Sequence, residues 1–101
     1  MTEIRGIFVE VLEGAGVDDT DATPIPYHPG TVIVSGTGSN GTGFLISDQH
    51  QVGDVVEIYC DVGGLTVYVP SGETIFVRGS SMSATTVRLR KLSATEWGAV
   101  S

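Results

Sequence analysis

The chain has 101 residues, 41% hydrophobic and 17% charged, with a net charge of −7 and a pI near 4.4. That balance fits one folded domain of ordinary size and excludes a disordered chain, which needs the reverse. Five cations against twelve acids argue against a phosphate-binding surface, and one cysteine excludes an internal disulfide or a cysteine-based zinc site. No apolar run approaches the length of a membrane span, and the start, Met1-Thr2-Glu3-Ile4-Arg5-Gly6, lacks the basic and apolar parts of a secretory signal.

Valine, isoleucine and threonine make up about a third of the residues, and there are 14 glycines. β-Branched side chains lose rotamer freedom in helices and fit pleated surfaces, so composition alone points to strands.

In chain order, residues 1–16 read two ways. Ile4, Phe8, Val11 and Leu12 fit a helical stripe, whereas Ile7, Val9 and Val11 fit a strand; Gly6 and the β-branched run favour the strand. Residues 14–30, with three prolines and three glycines, read as an extended connector. Strands are then expected at 31–35, 42–47, 54–60, 64–69, 74–78, 84–92 and 96–100, with turns about every ten residues. Gly36-Thr37-Gly38-Ser39-Asn40-Gly41 reads as a hairpin-type loop. The expected fold is all-β: an antiparallel sandwich or small barrel over residues 31–101, behind an N-terminal arm and Pro/Gly-rich connector over residues 1–30.

Alternation sorts the side chains. Val56, Ile58 and Cys60, then Leu65, Val67 and Val69, Ile75 and Val77, and Val87 and Leu89 share an aliphatic face that makes the core. The opposite face carries Val55, Tyr59, Tyr68 and Phe76. These are either scattered surface apolars or a second face buried against another copy of the chain; on the second reading they form the interface of a homotrimer. Charge is uneven: all but two of the acids lie in residues 1–61, where Arg5 is the only cation, and Arg78, Arg88, Arg90 and Lys91 follow.

Chemistry-bearing patterns are sparse. Asp18-Asp19-Thr20-Asp21 lacks calcium-loop spacing and reads as a solvated turn. Gly36-x-Gly38-x-x-Gly41 matches a dinucleotide fingerprint without the βαβ context. His28 and His50 read as surface residues, Cys60 as an inert core thiol, and Ser35, Ser47 and Ser71 lack a nucleophile elbow. No catalytic residue, metal site or cofactor is expected.

Several segments carry a resemblance. They are Thr31-Val32-Ile33-Val34-Ser35-Gly36, Gly43-Phe44-Leu45-Ile46, Gly53-Asp54-Val55-Val56-Glu57-Ile58-Tyr59, Leu65-Thr66-Val67-Tyr68-Val69-Pro70-Ser71-Gly72-Glu73-Thr74-Ile75, Thr86-Val87-Arg88-Leu89 and Ser93-x-x-x-Trp97. With these, residues 31–100 resemble the small β-rich structural domains of tailed-bacteriophage virions seen in head decoration proteins, head fibres and tail-fibre modules. The resemblance implies a non-enzymatic virion protein, a capsid decoration (cement) protein whose partners are itself, as a homotrimer, and the major capsid protein. It would sit on the outer capsid surface, reach it from the host cytoplasm during assembly, and bind neither nucleic acid nor membrane. Capsid contact is expected from Ile25 and Tyr27, on an arm held extended by Pro24, Pro26 and Pro29, and from Arg88 and Arg90. The alternatives are a tail-fibre or receptor-binding tip module and a carbohydrate-binding β-sandwich using Trp97, Tyr59 or Tyr68 as a platform.

Overall fold

The computed structural model describes residues 6–16, 18, 20–38, 42–60, 66–76, 79, 81–83 and 86–100. Among them there is no helix. Ten strands form two sheets: β1 (Gly6–Glu13), β2 (Thr23–Pro24), β3 (Gly30–Thr37), β4 (Gly43–Leu45), β5 (Val55–Cys60), β6 (Thr66–Tyr68), β7 (Thr74–Ile75), β8 (Ser81–Ser83), β9 (Thr86–Lys91) and β10 (Glu96–Val100).

The six-stranded sheet runs β1-β3-β5-β9-β10-β7 and the four-stranded sheet β2-β4-β6-β8. From β1 to β6 the chain alternates between them, one long strand in the first sheet and one short strand in the second. Successive passes stack parallel: β1 on β3 on β5 in one sheet, β2 on β4 on β6 in the other. In the first sheet Gly6 pairs with Gly30 and Thr31 with Val55, so both steps advance 24 residues. This is a β-solenoid of about three turns, with β9 and β8 closing its last coil by antiparallel pairing to β5 and β6.

The all-β expectation stands, and three parts of it are corrected. The architecture is a solenoid with mixed sheets, not an antiparallel sandwich or small barrel. Parallel neighbours need a crossover of a dozen or more residues, and here a strand of the second sheet supplies it. The glycine stretch after β3 is therefore no hairpin: β3 and β4 lie in different sheets, and residues 39–41 fall outside the described residues. Nor do the described residues up to Gly30 form a free arm, because β1 pairs with β3 along its whole length and Ile25 is only 2% exposed. The expected faces at Leu65 and Val77 fall outside the described residues.

The core is built in rungs. Phe8, Val32, Val56 and Leu89 lie in register across the first sheet, followed by Val34, Ile58 and Val87. Ile25, Ile46 and Val69 stack at the end of the second sheet, joined by Ile25 N–H to Leu45 O and Ile46 N–H to Tyr68 O. Thirteen residues make one buried cluster, with Leu12, Cys60 and Ala99 packed against it. Close stacking also dictates Gly43. A Cβ there would lie 2.8 Å from both the Thr66 carbonyl oxygen and the Tyr68 ring.

Candidate functional site

Parallel register sorts the outward-facing residues of the six-stranded sheet into rows. They are Ile7-Thr31-Val55-Arg90, Val9-Ile33-Glu57-Arg88 and Val11-Ser35-Tyr59-Thr86. The face thus grades from aliphatic at β1 to cationic at β9. At the aliphatic edge Ile7, Val9 and Val11 are 72%, 65% and 77% exposed. In the middle, the Tyr59 hydroxyl donates to Glu57 at 2.6 Å, and that carboxylate holds the phenol pKa above its ordinary value. Arg88 Nε lies 4.0 Å from the same carboxylate, beside exposed Arg90.

The β1 backbone is equally open. Gly6 N–H bonds Pro29 O at 3.2 Å and Gly14 N–H bonds Thr37 O at 2.7 Å, so even-numbered amides point toward β3. With the strand's two-residue period, the odd-numbered amides of Ile7, Val9, Val11 and Glu13 point away from the sheet. Proteins blunt such edges with proline, lysine, a bulge or brevity. β2 is two residues long and carries Pro24, and β7 is also two residues long, whereas β1 has eight residues with no proline, lysine or bulge. The one inward-facing charge of β1, Glu10, is engaged by His28.

The structure disperses the expected trimer quartet. Val55 lies in an outer-face row but is only 5% exposed, which removes it as a contact residue. Tyr59 is exposed on the outer face, Tyr68 is half-buried in the other sheet, and Phe76 is exposed beyond β7 at the far edge. Of the expected capsid contacts, Ile25 is core and Tyr27 is half-buried with its ring edge-on to His50, 5.0 Å between centroids. Arg88 and Arg90 are brought together, both exposed on β9.

His50 corrects a second expectation: it is 5% exposed, not a surface residue. Its Nδ1 lies 3.3 Å from Asp54 Oδ2, and it meets Trp97 edge-on at 5.6 Å. A carboxylate only accepts, so Nδ1 carries the hydrogen, and the buried Nε2 finds no partner among the described residues. Burial holds the His50 pKa below 6.5, against the pull of Asp54. Nearby, Lys91 Nζ and Trp97 Nε1 both donate to Glu73 Oε1, at 2.5 and 2.7 Å. Lys91 and Glu73 side chains are 3% and 10% exposed, and stranding one buried charge of such a pair costs about 3–5 kcal/mol. The cluster ties the 50–54 turn to β7, β9 and β10. His28 sits elsewhere, stacked on Phe8 at 4.6 Å and 2.6 Å from Glu10, closing the first coil.

Sequence reasoning missed both the exposure of Ile7, Val9 and Val11 and the burial of His50. A search for periodicity could have exposed the first, since similar alternating runs begin at residues 6, 30 and 54. Comparison with protein-family models, curated proteins and solved structures returns no match.

Proposed function

We propose that this chain is a non-enzymatic structural protein of a tailed-bacteriophage virion, a decoration (cement) module on the outer capsid surface that stabilises contacts between capsomers. The outer face of the six-stranded sheet carries this reading. An unbroken row of three large aliphatic side chains, each at least 65% exposed, is costly in water and characteristic of a surface that another protein covers. The exposed Arg88 and Arg90, three strands away in a chain of net charge −7, give the same face an anchor for an acidic patch on the capsid.

Two further points support the assignment. The groups best suited to chemistry, His50, Asp54, Lys91 and Glu73, have side chains no more than 10% exposed and are engaged with one another where β9 and β10 close the last coil. The viral setting comes from the resemblance of residues 31–100 to virion domains. Gold-labelled antibodies against the purified chain, applied to the virions that carry it, should decorate the heads evenly. Label confined to the tail tip would point instead to the receptor-binding module, and unlabelled particles would end the virion reading altogether.

A further inference from the structure

We infer that two copies of this chain pair head to head through β1, antiparallel and in one register, so that their six-stranded sheets become one continuous sheet. The occupant of the β1 edge is a second copy because no other described strand edge of the molecule matches it. The remaining edges, β2, β7 and β8, are two, two and three residues long, whereas β1 offers eight regular residues. A two-fold axis matches β1 only to itself.

The register follows from side-chain direction and charge. Residues directly opposite in an antiparallel pair share a face. Setting Val9 against Val9 places Ile7 against Val11 on both sides of the axis. All three carry the outward-pointing amides, so each opposed pair exchanges backbone hydrogen bonds. The aliphatic row then runs unbroken across the axis, and β-branched pairs opposite one another stabilise such a junction. On the other face Glu10 falls opposite Phe8, so no two carboxylates lie directly opposite each other and the two Glu10 are only diagonal neighbours. Shifting the centre of symmetry to residue 10 would set Glu10 against Glu10, a like-charge pair that opposes association.

Pairing through β1 goes beyond the capsid role and does not depend on it, but it would give that role a mechanism. Seven strand spacings would separate the two copies of β9, setting the arginine pairs about 34 Å apart on one face at ~4.8 Å per strand. A unit with two such anchors gains avidity if both engage neighbouring capsomers.

A strand edge and one side-chain row fall short of the ~800 Å² per partner of a standard interface, so the dimer is weak and assembles over roughly 10–100 µM. Sedimentation velocity of the full chain from about 10 µM to about 1 mM should show monomer giving way to dimer. Val9→Lys should remain monomeric throughout while keeping the wild-type circular dichroism and Trp97 fluorescence. In the wild type, amide exchange at Ile7, Val9 and Val11 should slow as concentration rises, with Phe8, Glu10 and Leu12 protected at every concentration. A monomer at 1 mM, a trimer, a dimer unaffected by Val9→Lys, or exchange at residues 7, 9 and 11 independent of concentration would each overturn the pairing. None of these outcomes depends on a capsid, so they are distinct from a failure of the head-labelling experiment.

Discussion

His50 shows how much a single side chain depends on its surroundings. A histidine in a turn between polar residues is most often solvated, and nothing local in Gln49-His50-Gln51 suggests otherwise. The solenoid places it between Tyr27 of one coil and Trp97 of β10, where water cannot reach it. The charged groups facing it are Asp54, which favours the protonated ring, Lys91, which opposes it, and Glu73, which favours it; burial outweighs their sum. The sign for stability follows. The unfolded chain takes up a proton near pH 6.5 while the folded chain resists it until lower pH, so stability is complete above about 6.5 and declines as pH falls below it. Urea midpoints taken between about pH 7.5 and 5 should therefore fall in the wild type, and His50→Gln, which never titrates, should flatten that slope. An equal slope in the variant would place the titrating group elsewhere.

At the scale of an element, β1 and the segment after it matter most. Their alternation reads the same whether the strand docks on a distant partner or on its own sheet, because a strand's face pattern carries no record of its neighbour. The 24-residue register with β3 settles it: Phe8 and Leu12 lie over the second coil, and Ile25 stacks on Ile46. The described residues between 6 and 26 are thus a layer of the core. Repeat architectures draw stability from each interface between coils, so deleting residues 1–26 removes one interface and exposes the coil beneath. Loss of Ile25 alone withdraws about 2–3 kcal/mol of apolar burial. Thermal melts followed by far-UV circular dichroism should show the truncated chain unfolded, or melting at least about 10 °C lower; an unchanged melt would restore residues 1–26 to the status of an arm.

Over the whole molecule, charge and apolar surface segregate on one sheet face. Strand order sets Arg88 and Arg90 three positions from the aliphatic edge, although they lie about 80 residues away along the chain. Both are exposed, and the ion pair between Arg88 and Glu57, at 4.0 Å, is a surface contact worth about 0–1 kcal/mol. Replacing both with glutamine, which leaves no carboxylate opposite Glu57, should leave the melting curve within a few degrees of wild type and reduce retention on undecorated capsids by at least about tenfold, read by co-sedimentation at low salt. Retention unchanged by the double substitution would remove the arginine pair as the anchor.

How much of this was legible beforehand differs by kind of interaction. β-Branched composition, two-residue alternation and glycine spacing act over a few residues, and they made the all-β class and most inward positions, Val56, Ile58, Val67, Val87 and Leu89 among them, readable from the chain alone. Sandwich and solenoid share those local features. They differ in which strand hydrogen-bonds to which, and that choice rests on contacts between residues 24 apart, which short-range patterns do not encode. Exposure is less local still. Val9 and Val55 are both outward-facing β-branched residues on alternating strands, yet one is 65% exposed and the other 5%. Position in the sheet contributes to the difference: Val55 sits between Thr31 of β3 and Arg90 of β9 next to the buried Asp54, whereas Val9 pairs with Ile33 alone beside an open edge. Flanking strands do not suffice by themselves, since Tyr59 on the same face of β5 is 47% exposed.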